Sequence, residues 1–196
     1  MANISQKWLK DLDVLIPFTE GYNKFIYASS LAVMLKQPQR TVARKLFRLE
    51  TAGVVKCTLE GKNKMYYIDL HDPQSLILLS NIEHLKALSF LRKHLKISIA
   101  IKDLMQLGTI ILFGSYAKGQ QTSASDIDLL FLSRKSKKAK KLCSKYPFAI
   151  NPHFTDLQSF SKLLKEDNAL AKEIAETHII FGNVEEIVKV LVKFYG

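Results

Sequence analysis

Cysteine, proline and glycine are all scarce in this chain of 196 residues, at two, five and eight positions. Cys57 and Cys143 lie far apart without metal-ligand spacing. That excludes a disulfide framework and fits reduced thiols in a cytoplasmic protein. No apolar run approaches the roughly eighteen residues of a membrane span, and the start, around Trp8-Leu9, lacks the apolar core of a signal peptide. Low-complexity tracts are missing too, and a hydrophobic content of 47% marks a globular chain with a proper core. Acid is also in short supply: 18 Asp and Glu stand against 29 Lys and Arg, for a net charge of +11.

The excess charge is uneven. From Lys36 to Lys64 there are eight Lys or Arg against two Glu, and from Arg134 to Lys145 seven against none. Concentrated positive charge points to a polyanionic partner, nucleic acid before membrane. For the second run, a solvated basic face is an equal alternative.

Two of the few acids stand together. The stretch Thr109–Leu132 opens with an apolar run ending at Phe113, which predicts a buried strand. Gly114-Ser115 breaks the run, and Tyr116-Ala117-Lys118 reads as the first turn of a helix. A polar loop follows, and a second strand begins at Asp126. Asp126 and Asp128 then project from one face, with Ile127 and Leu129 pointing the other way. Paired acids repel unless a cation lies between them, and a hard divalent ion suits carboxylate oxygen while keeping substrate phosphates as ligands. Glycine at the strand-to-helix turn allows close backbone approach, and N–H groups at the helix start favour phosphate.

Strand, Gly114-Ser115, ten residues, then Asp126-x-Asp128 in a second strand resembles the nucleotidyltransferase superfamily of DNA polymerase beta. The likeness is greatest to its small prokaryotic minimal members. It covers residues 97–196 and implies an α+β or α/β fold, a small mixed sheet flanked by helices. It also implies Asp126 and Asp128 as catalytic residues and ligands of Mg²⁺ or Mn²⁺, with an NTP as substrate. Gly114, Ser115, Lys118 and Ser125 become nucleotide-binding residues. Active members commonly add a third carboxylate on the next strand. Here Phe148-Ala149-Ile150-Asn151-Pro152-His153-Phe154 has no acid; Asn151 or His153 holds the equivalent face, and Asp156 reads as a helix cap. Two-ion displacement is harder without that third acid.

Upstream, Leu12, Leu15 and Ile16 fall at helical spacing, and Lys24–Tyr27 is a short extended piece. Ser29 or Ser30 caps a second helix through Leu35, stopped by Gln37-Pro38. A third runs from Gln39 to about Ala52 and closes on Gly53, with Val42, Leu46 and Leu49 inward. Its other face carries Arg40, Arg44 and Arg48, with Thr41 and Lys45 beside them. A hairpin centred on Gly61 follows. Residues 1–72 resemble the winged helix-turn-helix of small prokaryotic transcription regulators, most plainly in "RKLFRLETAGVV" and "GKNKMYY". That resemblance implies double-stranded DNA as partner, with Arg40, Thr41, Arg44, Lys45 and Arg48 at the groove and backbone. Lys62 and Lys64 would touch phosphate from the wing. Such domains also serve as dimer or docking modules.

Between the two, residues 73–96 read as a helical linker, with Leu78, Ile82, Leu85, Leu88 and Leu91 near helical period; it could pair with its copy in a homodimer. The remaining expectations are a helix over Ile99–Leu107, a third strand over Tyr146–Phe154, a helix with Phe160, Leu163 and Leu164 inward, a strand Ile179–Phe181 and a last helix Val184–Phe194. Two functions follow. One is Mg²⁺-dependent transfer of a nucleoside monophosphate from an NTP to a hydroxyl on a protein or small molecule, coupled to DNA binding. The other is a catalytically weak or inactive regulator that binds DNA and senses nucleotide. The family resemblance adds a third, antitoxin-like action on a partner protein.

Overall fold

The computed structural model describes residues 8–133 and 135–196, the side chain of residue 8 excepted. Two compact units divide the chain. The first runs to Ile82 and takes in Tyr195–Gly196; the second is Glu83–Phe194.

The first unit opens with a 3₁₀ helix, Trp8–Thr19, followed by β1 (Ile26–Tyr27), α1 (Ala28–Leu35), α2 (Gln39–Thr51), β2 (Lys56–Glu60) and β3 (Asn63–Tyr67). The three strands form an antiparallel sheet in the order β1-β3-β2. Val42, Leu46 and Leu49 of α2 are fully buried, with Leu15, Phe18 and Leu31 among their buried neighbours in this unit. The Gly53 amide bonds the Glu50 carbonyl at positive φ, so α2 ends in the left-handed turn that glycine adopts without a Cβ penalty. Neither Ser29 nor Ser30 caps α1: the helix starts at Ala28, and both serines lie inside its first turn.

The second unit begins within α3 (Ser75–Lys93) and continues through α4 (Leu95–Leu104), β4 (Thr109–Phe113), α5 (Gly114–Ala117) and β5 (Ile127–Leu132). Then come α6 (Ser136–Cys143), β6 (Ile150–Thr155), α7 (Leu157–Lys165), α8 (Ala169–Glu176), β7 (Ile179–Phe181) and α9 (Val184–Tyr195). Its sheet has the order β6-β5-β4-β7. Only β5 and β6 run parallel, with α6 as their crossover; β4 pairs antiparallel with β5 and β7. One sheet face presents Ile110, Leu112, Ile127, Leu129 and Phe131 to the apolar sides of α3, α4 and α6. Each such fully buried aliphatic contributes about 1.5–3 kcal/mol. Pro152 sits on the edge strand β6, where a missing N–H costs no central ladder bond. Among the described residues, no helix is long and apolar enough to cross a membrane.

Several boundaries differ from the sequence expectation. His94 leaves helical dihedrals (φ −121, ψ 66), so a single residue separates α3 from α4 and the following helix starts at Leu95 instead of Ile99. The third strand starts at Ile150. Tyr146 and Phe148 stack on each other, and the Tyr146 hydroxyl donates to Asp103 Oδ2 at 2.7 Å, which holds that segment out of the sheet. Helix α8 was not expected; Asn168 caps it by accepting from the Ala171 amide. Asp156 caps α7 as expected, accepting from the Ser159 amide at 2.8 Å.

One polar cluster is buried in the second unit. Glu83 and His178 are inaccessible, 3.0 Å apart, and Lys86 Nζ lies 3.0 Å from Glu83 Oε2. His178 Nδ1 faces the Ile174 carbonyl at 2.7 Å and Nε2 faces Glu83 Oε1 at 3.0 Å, so both ring nitrogens stand beside oxygen atoms. Burial pushes the Glu83 pKa up, but Lys86 and His178 outweigh it and bring it down to about 2. Replacing the carboxylate by a neutral amide removes the negative charge that Lys86 and His178 face in this buried cluster. Glu83→Gln should therefore cost about 3 kcal/mol, a fall in Tm of about 10 °C. The stabilisation by Glu83 is present above its ordinary value of 4.5 and is lost as pH falls towards 2. Melting curves of both proteins should accordingly converge across that interval, and a constant gap would contradict this account.

Candidate functional site

The β4–β5 register places Phe113 opposite Asp128, and the parallel β5–β6 register places Asp128 beside Asn151. Phe113, Asp128 and Asn151 therefore form one row across three strands, at the end of β4 where the chain turns into α5. Gly114 follows Phe113 directly, is buried, and has φ +68. A Cβ at Gly114 would collide with Asp128 Oδ2. Positive φ and this close approach both require glycine. The other oxygen, Asp128 Oδ1, accepts from Asn151 Nδ2 at 3.0 Å. Of the two residues that the sequence left open, Asn151 is the one beside Asp128. His153 lies one pair further along, opposite Leu130, with its ring edge-on to Phe113 at 5.4 Å between centroids.

Asp126 is exposed, and Asp128 is half-buried. Asp126 precedes β5, which begins at Ile127; the buried Ile127 side chain and its amide bond to the Ala149 carbonyl (2.9 Å) fix where the strand starts. Ser125 Oγ accepts from the Thr122 amide at 2.9 Å and lies 3.2 Å from Thr122 Oγ1, so this hydroxyl shapes the loop leading to Asp126. Ser115 is half-buried in α5, a helix of one turn with little dipole to offer. Lys118 pairs with Glu173 of α8 at 2.6 Å, both about two-fifths exposed. No sequence signal pointed to Glu173, which lies 55 residues away.

The basic residues of the first unit are unequally placed. Arg48 forms a two-pronged pair with buried Asp11, at 2.7 and 2.8 Å. Lys45 reaches Asp13 at 2.6 Å and Gln37 at 3.1 Å. Lys64 bonds Glu50 at 2.8 Å and holds that carboxyl below its ordinary pKa. Arg40 and Arg44 on α2, and Lys62 at the hairpin tip, are exposed, and Thr41 is half-buried. Among the described residues, these three cations have no ion-pair partner.

A protein of Methanocaldococcus jannaschii, named provisionally as a protein adenylyltransferase, is 55% identical to this chain over 40 residues. The match spans 20% of this chain and 37% of that relative, well under two thirds of its length. No solved structure matches. The nucleotidyltransferase domain family matches residues 92–194. That stretch exceeds half of the chain and holds the whole Phe113–Asp128–Asn151 row with Gly114 and Asp126, so the chain belongs to the nucleotidyltransferase domain family.

Proposed function

We propose that the second unit transfers a nucleoside monophosphate from an NTP to a protein hydroxyl, with Asp126 and Asp128 as ligands of a divalent cation. The observation that carries this reading is the seat of Asp128, packed on Gly114 and bonded to Asn151, two residues from an exposed second carboxylate. The M. jannaschii relative's name supports ATP as donor and protein as acceptor. Both carboxylates supply hard oxygen, which suits Mg²⁺ or Mn²⁺. When bound, such an ion offsets phosphate charge and favours departure of pyrophosphate. Two carboxylates are a donor set that fits one ion, with water and phosphate oxygen as its remaining ligands. Gly114 and Ser115 would take the terminal phosphates, with Lys118 supplying positive charge near them while Glu173 holds its ammonium.

In the step itself, the acceptor oxygen bonds the α-phosphorus as the bond from that phosphorus to pyrophosphate breaks. Pyrophosphate leaves with the electron pair, and the hydroxyl proton passes to solvent. Asn151 stands at the neighbouring position, and a neutral amide cannot take that proton, so turnover is slow. This incomplete site also supports the nucleotide-sensing alternative, which shares the same binding residues.

A second reading concerns the first unit. Three helical segments, with β1 between the first two, and a three-stranded sheet completed by the β2–β3 hairpin support a winged helix that binds duplex DNA through exposed Arg40, Arg44 and Lys62. Exposed Leu85 and Leu88 on α3 are the residues that self-association through that helix would use.

Asp126→Asn and Asp128→Asn should each weaken Mg²⁺-dependent NTP binding about tenfold or more in calorimetry, a loss of about 1.4 kcal/mol. Wild-type affinity in either variant would remove the site. Gly114→Ala should impair the same binding and cost about 1–3 kcal/mol in thermal unfolding, through strain at positive φ and displacement of Asp128. Asn151→Asp should raise turnover of labelled NTP by roughly a hundredfold, the smaller end of what a general base contributes. His153→Asp should not. A wild-type rate of about 1 per second or more would show that the amide is no handicap. For the DNA reading, replacing Arg40, Arg44 and Lys62 by Gln should flatten the slope of log affinity against log salt by about 3; no change in slope would leave the first unit as a docking module.

A further inference from the structure

The run through α6 gathers more unpaired cations than α2, where Arg40 and Arg44 are the exposed arginines without an ion-pair partner among the described residues. Lys135, Lys137, Lys138, Lys140, Lys141 and Lys145 are all exposed. None of the six has an ion-pair partner among the described residues, although ten other Lys or His side chains and Arg48 do. Asp103 on α4, the helix packed against α6, is engaged by the Tyr146 hydroxyl. Lys137 and Lys141 stand at i, i+4, a like-charge spacing that destabilises a helix by about 0.2–0.5 kcal/mol. Nothing internal offsets that cost. Ala139 and Cys143 are buried and Leu142 half-buried, so every apolar side chain of α6 faces inward and its outward face is lysine throughout.

We propose that the outward face of α6 docks the phosphate backbone of a duplex nucleic acid. A polyanion is required by the charge, and the side-chain chemistry selects which one. Protein interfaces place aromatic, Met and Arg anchors at their centre and are depleted in Lys. Among the described residues of α6 there are none of those anchors. Single strands are held by stacking on exposed aromatic rings; Phe154, the ring under Lys140, is half-buried with Nζ 5.8 Å from its centroid. Lysine is a mobile point charge that meets phosphate without a fixed fork geometry, as sequence-independent backbone contact needs. The proposal rests on neither the transferase reading nor the winged-helix reading, because α6 carries no residue that either one uses.

The test compares the full-length chain with Lys137→Gln/Lys138→Gln/Lys141→Gln and with Arg40→Gln/Arg44→Gln. Each is titrated against 20-bp mixed-sequence DNA and RNA duplexes from 50 to 200 mM salt. With four to five lysines on phosphate, α6 should contribute about −4 to the log–log slope, equivalent to a loss of roughly 250-fold in affinity over that range. The α6 triple variant should flatten the slope by about 3, while the Arg40/Arg44 variant keeps the α6 contribution. All three substituted lysines are exposed, and unchanged circular dichroism and Tm confirm that the variant is folded. Equal effects on DNA and RNA mark pure backbone docking; an effect on one alone identifies the duplex. An unchanged slope in the α6 variant overturns the proposal. So does salt-dependent binding of polyglutamate, or of vesicles rich in anionic lipid, that is tighter than duplex binding and lost in the same variant.

Discussion

A carboxylate oxygen held against a glycine backbone is the contact on which the geometry of the second unit's candidate site depends. Asp128 can approach Gly114 because β4 and β5 pair with Phe113 opposite Asp128. That register is enforced from the opposite sheet face, where Leu112 and Leu129 are themselves paired and fully buried. Slipping β5 by one residue would turn Leu129 out of the core and put Ile127 where the carboxylate belongs. The apolar core and the polar site are therefore two faces of one constraint. Stability gained by burying aliphatic side chains is what keeps two repelling acids in place.

Positive charge is managed differently in the two units. In the first, Asp11, Asp13 and Glu50 bind Arg48, Lys45 and Lys64, so much of the charge on α2 and the hairpin fastens helices and sheet together. Arg48 paired with a buried acid acts as a strut, and its distance from Asp11 along the chain, 37 residues, hides that role from any local reading of charge. Among the described residues, the run on α6 meets no such acid. Two stretches that look alike as compositions thus differ in what they leave available to a partner.

What could be read from the sequence follows the same division between local and distant. The strand–Gly-Ser–strand unit was legible because its signals are local: an apolar run, a chain-breaking glycine, and acids at a period of two. The helices of the first unit and the inward residues of α2 were legible for the same reason. Asn151 and His153 could not be separated, since the register of a parallel pair is set by how the α6 crossover packs, not by the strand's own residues. Helix α8 went unseen: most of its apolar positions are alanine, which carries little periodic signal, and its start depends on one side-chain cap at Asn168. Ser125 matched a family pattern, yet its hydroxyl is committed to Thr122, a geometry no motif encodes.

Asn151 is followed by Pro152, and that pairing bears on how the site ages. Asparagine converts spontaneously to aspartate when the next residue's backbone nitrogen attacks the side-chain amide and closes a succinimide ring. Proline's nitrogen carries no hydrogen and is already closed in its own ring, so it cannot take that part. A bond from Asn151 Nδ2 to Asp128 further holds the amide in one orientation. The molecule is thereby shielded from acquiring, by slow chemical decay, the very carboxylate beside Asp128 that would alter its reactivity. Its neutral side chain at that point endures for the lifetime of the folded chain.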